Sequence, residues 1–318
     1  MDVTISVSRY NPDSNLPGSY FQDYQIEVDD SSTVLDALIK VREEIDGSLA
    51  LRCSCRSAIC GSCAMRINGQ ARLACNTKIT DILKRGSGSV SVEPAGNMTV
   101  VKDLVVDFSP FWTKVRQIEP WLQPNRPPPE QEYIADDDDM LHLAGVMDCI
   151  MCGACVSDCT VLNVDKNFLG PAALAKAYRF VADPRDDADV IRLGDLNKYG
   201  GIWDCTRCMQ CVEVCPKDVD PMSRIMALRD KAMEEGYTKT YGARHAKAFS
   251  DLVEHSGWLN ELQLPIRTFG LFNVKQMFKL FPVGIRSIIN GKLPPIVHRS
   301  ITGVENVRRI FERVRDKR

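Results

Sequence analysis

Residues 149–159 read CIMCGACVSDC and residues 205–215 read CTRCMQCVEVC. Both runs obey one rule, C-x2-C-x2-C-x3-C, and Pro216 follows the second. Three thiolates at x2 spacing can hold three corners of a cube-shaped inorganic core from one turn of chain, and the fourth lies past a bend that leads into a helix. Chance does not produce such a run twice. The chain has thirteen cysteines in 318 residues, and they fall into three tight groups where disulfide cysteines usually scatter. The N-terminus, MDVTISVSRY, alternates like a strand and carries no signal peptide. A disulfide framework is therefore a poor reading, and metal ligation the better one.

The paired runs have the spacing of two-cluster bacterial ferredoxins, in which the fourth cysteine of each run ligates the other cluster. The expected sets are Cys149, Cys152, Cys155 with Cys215 for a first 4Fe-4S cluster, and Cys205, Cys208, Cys211 with Cys159 for a second. The remaining group, Cys55, Cys60, Cys63 and Cys75, stands at C-x4-C-x2-C-x11-C. That is a plant-type 2Fe-2S loop, with Ala58, Gly61 and Ser62 small enough to let backbone amides face the cluster and Arg56 favouring its negative charge. A tetrahedral zinc site is the competing reading of these four thiols. Cys53 is left over and is read as a bystander.

Outward from the cysteines, the first hundred residues read as strands with one helix. Val3, Ile5 and Val7 alternate, as does 24–28; 29–32 supplies a turn and cap, and 33–44 has helical periodicity. Short strands are expected near 64–67 and 89–92. Residues 121–134, WLQPNRPPPEQEYI, cannot continue a helix and mark a linker closed by the acidic run 136–139, read as a solvated helix start. The fold class is thus α+β: a β-grasp 2Fe-2S domain (1–120), a Pro-rich and acidic linker (121–139), an all-helical dicluster ferredoxin domain (140–235) and a basic amphipathic helical extension (236–318). Net charge is −2, yet the segment from Gly236 onward holds 15 Lys/Arg against 6 Asp/Glu. In that tail Leu271-Phe272, Met277-Phe278 and Leu280-Phe281 lie among Lys275, Lys279 and Arg286, a pattern that suits either anionic lipid or a neighbouring subunit. No apolar run approaches the length of a membrane span, so the chain is expected to be peripheral at most. Nucleic acid is not an expected partner, and no nucleotide, flavin or zinc-protease motif is present. His142, His245, His255 and His298 do not cluster; His142 alone is near enough in sequence to a cysteine group to support a ligand. Met147, Met151 and Met209 are read as insulating the cubes.

Taken together, the x11 2Fe-2S loop and the paired runs resemble the iron-sulfur subunit of succinate dehydrogenase and fumarate reductase. Arg9-Tyr10-Asn11-Pro12, Leu35-Asp36-Ala37-Leu38, the stretch Lys102 to Asp107, Gly170-Pro171-Ala172 and Ala177-Tyr178-Arg179-Phe180 are similar to the same family, over roughly residues 1–235. The resemblance implies an electron-transfer subunit between a flavoprotein, where FAD interconverts succinate and fumarate, and a quinone-linked membrane anchor. A subunit of another flavoprotein dehydrogenase, or a free ferredoxin-like carrier, is the alternative. In most of the family the third cluster is 3Fe-4S and the position of Cys208 is not cysteine; Cys208 here implies 4Fe-4S, with 3Fe-4S if it is no ligand. The family's quinone-site Trp and His are replaced by Val164 and Thr206, and its Pro after the first run by Thr160. These departures are similar to the subclass with a cysteine-rich, heterodisulfide-reductase-like anchor, as in archaeal succinate dehydrogenases and methylmenaquinol-linked fumarate reductases. The implied location is the cytoplasmic face of the membrane, or the periplasm if a Tat-exported partner carries the chain across.

Overall fold

The computed structural model describes residues 1–14, 18–84, 88–270, 273–292, 295 and 299–315. It forms two compact units, 1–231 and 232–318. The first begins with β1 (Asp2–Arg9), paired antiparallel along its length with β2 (Tyr20–Glu27), from Asp2↔Glu27 to Arg9↔Tyr20. Helix α1 (Val34–Lys40), widened into a looser turn over Val41–Ile45, crosses to the cysteine loop. There follow β3 (Ala64–Ile67), β4 (Gln70–Leu73), α2 (Ile79–Leu83) and β5 (Val90–Glu93). The five strands order as β2-β1-β5-β3-β4, with β5 parallel to β1 and antiparallel to β3, which is a β-grasp sheet.

The alternation of β1 buries Val3, Ile5 and Val7 on one face, where α1 lays down Val34, Leu35, Ala37 and Leu38. The cap of α1 is Thr33, not Ser31 or Ser32: its hydroxyl accepts from the Asp36 amide while the Asp36 carboxylate accepts from the Thr33 amide. Arg9 and Asp103 lock the sheet to the chain beyond it. Asp103 accepts from Arg9 Nε (3.0 Å), the Tyr10 amide (3.0 Å) and the Ala50 amide (2.9 Å). Two stretches that carried the family resemblance thus meet in space.

A two-stranded ribbon, β6 (Val100–Lys102) and β7 (Val105–Val106), and α3 (Ser109–Gln117) close this region. No helix or strand lies between Gln117 and Asp137. The Pro-rich stretch is nonetheless pinned at its start: Arg192, buried against Asp186, donates to the carbonyls of Ile118 (2.8 Å), Glu119 (2.7 Å) and Trp121 (2.7 Å). The acidic run opens the exposed helix α4 (Asp137–Leu141), where its charges favour the positive end of the helix dipole.

The dicluster region is helical in short pieces: α5 (Ala154–Ser157), α6 (Thr160–Val164), α7 (Pro171–Val181), α8 (Asp189–Leu196), α9 (Gln210–Glu213) and α10 (Pro221–Glu234). The second unit holds α11 (Tyr241–Ser256), α12 (Gln263–Phe269), α13 (Val274–Ile289) and α14 (Val304–Arg315). Helix α13 continues through Pro282, with Asn273 capping its start. Leu271, Phe272 and His298 lie outside the described residues, as does the side chain of Met277. No helix among the described residues is long and apolar enough to cross a membrane.

Candidate iron-sulfur centres

The two cysteine runs share a backbone as well as a spacing. Each is entered through a short 3-10 turn, Val146–Asp148 and Ile202–Asp204. Each then places a left-handed residue two positions after its first cysteine, Met151 (φ 54°) and Arg207 (φ 57°), and another directly after its second, Gly153 (φ 79°) and Met209 (φ 68°). Non-glycine residues pay roughly 1–2 kcal/mol for that conformation. Its recurrence at matched positions shows that the two runs follow one chain path. Gly153 is further constrained, since a Cβ there would meet Met98 Cε at 2.9 Å and Phe108 at 3.2 Å.

Cys149, Cys152, Cys155 and Cys215 line one small cavity together with Ala172, Ala175 and Pro216. Burial pushes the Cys152 thiol up to about 11, reinforced by the charges of Cys149 and Cys215. Cys155 is driven well above the ordinary thiol range by burial, and then by Cys152, Cys149, Cys211 and Cys215. In the other set, burial pushes Cys211 up to about 12, with Cys205, Cys159 and Cys208 as its charged neighbours. Burial likewise raises Cys159, with Cys208 and Cys205 beside it. The fourth cysteine of each run therefore sits with the first three of the other. Cys208 differs: partial burial opposes its ionisation, but the Thr160 hydroxyl, donating to its Sγ at 3.3 Å, draws it below the usual thiol range.

The 2Fe-2S loop is also a left-handed turn, through Arg56 (φ 55°), Ala58 (φ 56°) and Gly61 (φ 71°). This path turns amides toward sulfur. Ser57, Ile59 and Cys60 N–H donate to Cys55 Sγ at 3.4, 3.4 and 3.3 Å, and Ala58 N–H donates to Cys75 Sγ at 3.4 Å. The Ser62 side chain lowers Cys60 to about 6, whereas burial lifts Cys63 to about 12. Cys75 comes back from the β3–β4 hairpin, and the Ala74 amide donates to the Cys63 carbonyl at 3.1 Å.

These sets fit iron-sulfur groups. Buried thiols that repel one another need cations among them to stay ionised, and amides aimed at sulfur stabilise the ligating form. A single zinc ion, with Zn–S bonds of about 2.3 Å, would draw its ligands far closer together. Among the described residues no three Cys, His, Asp or Glu side chains are gathered as one ion requires.

Two contacts put the sites in series. A Cβ on Gly61 would meet Cys152 Cβ at 2.7 Å and Cys152 Cα at 2.9 Å, so the 2Fe-2S loop lies directly on the first cubane run. Helix α5, which carries Cys155, packs against α9, which carries Cys211 of the second set. Both ends reach the surface, through Cys55 and Cys60 at one and Cys208 at the other.

A model of the 2Fe-2S iron-sulfur cluster binding domain matches residues 4–113, and one of the 4Fe-4S dicluster domain matches residues 145–219. The 8-methylmenaquinol:fumarate reductase iron-sulfur subunit of Wolinella succinogenes is 35% identical over 285 residues, covering 87% of this chain and 88% of the relative. This chain belongs to the succinate dehydrogenase and fumarate reductase iron-sulfur subunits. A fumarate reductase iron-sulfur subunit of Mycobacterium tuberculosis is 39% identical over 225 residues, covering 70% and 90%. A chain of the Mycobacterium smegmatis Sdh1 complex in the apo form superposes with a TM-score of 0.67 at 28% identity, covering 74% of this chain and 97% of that one. The protein is accordingly an electron-transfer subunit with a 2Fe-2S domain followed by a 4Fe-4S dicluster domain.

The Wolinella match also corrects the extent of the resemblance. It spans 87% of 318 residues, about 277, and cannot fit within the 235 that precede the tail. At least some forty residues of the extension are therefore shared with that relative.

Two supporting residues gave no sign in the sequence. Asn97 donates from Nδ2 to the carbonyls of Val156 (2.9 Å), Ser157 (3.1 Å) and Cys159 (2.9 Å), fixing the turn that delivers Cys159. Arg229, buried, donates to the carbonyls of Ile202 (2.8 Å), Trp203 (3.0 Å) and Cys205 (2.7 Å) and brings a positive charge to the second set. Thr160 stood out only as a departure from the family. Cys53 is half-buried against the β-grasp core, outside every set. His142 and His255 are exposed, and His245 Nδ1 lies 3.4 Å from the Thr268 hydroxyl. Val164 is 88% exposed and Thr206 is exposed.

Proposed function

We propose that this chain passes electrons singly from a FAD-bearing subunit, where succinate and fumarate interconvert, to a quinone-linked subunit at the membrane. The carrying observation is the unbroken series Cys55/Cys60, Gly61 on Cys152, Cys155 beside Cys211, and Cys208 at the surface. The 2Fe-2S group is held by Cys55, Cys60, Cys63 and Cys75, the first 4Fe-4S by Cys149, Cys152, Cys155 and Cys215, and the second by Cys159, Cys205, Cys208 and Cys211. The clusters supply one-electron steps between the two-electron chemistries of flavin and quinone. The chain's own contribution is spacing, burial and charge: amides on Cys55 and Cys75, repelling thiols brought together by the fold, and Arg229 behind Cys205.

The quinone-linked partner is proposed to be the cysteine-rich type. Supporting this are Cys208 as a ligand, Val164 and Thr206 in place of the quinone-site aromatic and histidine, and a match to the 8-methylmenaquinol relative that continues into the tail. The basic tail is read as the segment facing that partner or the membrane, on the cytoplasmic side, with the periplasm as the alternative under co-export.

Electron paramagnetic resonance of the anaerobically purified, oxidised protein tests the second cubane set. An oxidised 3Fe-4S cluster is paramagnetic and an oxidised low-potential 4Fe-4S cluster is silent. The wild type is expected to be silent and Cys208→Ser to gain the signal; a stoichiometric signal in the wild type removes Cys208 from the ligand set.

A further inference from the structure

Residues 262–304 contain no Asp or Glu in 43 positions, yet hold Arg267, Lys275, Lys279, Arg286, Lys292 and Arg299. The next longest acid-free stretch is residues 47–80, 34 positions around the first cysteine group. At the centre of the longer run lies α13, sixteen residues with no acidic side chain. At 100° per residue, Val274, Phe278, Phe281, Ile285, Ile288 and Ile289 fall on one side of the helix. That side is bare: Phe278 is 71%, Phe281 64%, Ile288 61% and Ile289 78% exposed. Lys275, Lys279 and Arg286 form a single flank next to it, all exposed. Gln276 and Leu280, nearly opposite the bare stripe, are partly buried, and α12 is the helix packed against this one. Val283 is exposed on the side of α13 away from the stripe.

We infer that α13 lies flat on an anionic lipid surface, with Phe278, Phe281, Ile285 and Ile288 in the acyl boundary and Lys275, Lys279 and Arg286 on the phosphates. The inference rests on the reading of the chain as the membrane-side relay and names what its tail meets. Aliphatic and aromatic side chains on one side with cations on the flank are the arrangement of an in-plane anchor: the apolar stripe enters the headgroup boundary and the long basic side chains reach back to phosphate. A crossing geometry is excluded, because sixteen residues at about 1.5 Å each reach about 24 Å and the hydrocarbon core is about 30 Å thick. The charge pattern selects lipid over a protein partner. A protein interface has no reason to banish every carboxylate from 43 residues, whereas an anionic sheet repels each one over its whole extent.

The test is co-sedimentation of the full, cluster-loaded chain with vesicles of phosphatidylcholine alone and of phosphatidylcholine mixed equally with phosphatidylglycerol. The wild type is expected to pellet with the mixed vesicles and to be released as salt rises. Lys275→Gln and Lys279→Gln should each weaken binding about fivefold on the mixed vesicles, the effect of roughly one surface cation. Phe278→Glu with Phe281→Glu should abolish it, and both sets change only exposed side chains. Failure of the wild type to pellet overturns the inference, as does binding that the Phe278/Phe281 pair leaves intact, or a tail that holds only the anchor subunit. Cluster absorbance of the wild-type sample separates the two readings: a wild type without iron-sulfur absorbance strikes the relay reading, and one that keeps it yet fails to pellet strikes the lipid face alone.

Discussion

Asn97 is the side chain through which the 2Fe-2S domain reaches the second cubane set, and its removal has a calculable effect. The backbone is left-handed there (φ 60°), a conformation Asn tolerates and Ala does not. Two amide hydrogens are shared among the carbonyls of Val156, Ser157 and Cys159, and Oδ1 accepts from Lys166 Nζ at 3.1 Å. Asn97→Ala loses two net hydrogen bonds, about 1 kcal/mol each. Ala also lacks the local polar compensation that lets Asn hold a left-handed backbone, which adds about 1–2 kcal/mol. The total of about 3–4 kcal/mol makes an opened Cys159 turn roughly 100- to 1000-fold more populated. Asn97→Gly keeps the backbone and should cost only the hydrogen-bond part. The assay is anaerobic transfer of iron to a chelator, resolved by cluster through paramagnetic resonance after reduction. The second cubane should be lost on the order of 100-fold faster in the Ala variant or more, by the same arithmetic, with the Gly variant intermediate and the first cubane unmoved. A change below about tenfold, or equal loss of both cubanes, would refute the reasoning.

Two further outcomes follow from the same geometry. Thr160→Val removes the hydroxyl from Cys208 Sγ, so the second cubane should shift to lower potential in a redox titration, Thr160→Ser should restore it, and the first cubane should stay put. Asp46 is held well below the usual carboxylate range by the Ser48 hydroxyl, Tyr24 and Arg9. Because its folded value is depressed, it stabilises the fold fully above about pH 4 and loses that contribution as the pH falls further; the melting temperature of wild type should fall more steeply there than that of Asp46→Asn.

What the sequence made legible was whatever is encoded by spacing. The x2-x2-x3 runs announced the cubane sets because a cluster constrains neighbours along the chain, and the alternation of Val3, Ile5 and Val7 announced β1 because a strand has a period of two. The packing of Gly61 on Cys152, and the roles of Asn97 and Arg229, were illegible for the opposite reason. Gly61 is required by Cys152, ninety-one positions away, and Asn97 and Arg229 by carbonyls that no side-chain pattern marks. A proline costs a helix one local hydrogen bond, yet fifteen other residues and the Asn273 cap carry α13 past Pro282. The choice of Thr33 over the serines before it likewise depended on Asp36 answering from three residues ahead.

The crossing of the two runs has a consequence for how the protein is made. Cys215 completes the cavity begun by Cys149, Cys152 and Cys155, and it is sixty residues beyond the last of them. At roughly 5–20 residues per second, a ribosome needs about 3–12 s to reach it. During that interval three thiols exist with no fourth, and Cys159 waits for a run not yet synthesised. Neither cubane can be finished before the other has its chain, so loading must follow translation of both runs, and the nascent thiols need protection from oxidation until then.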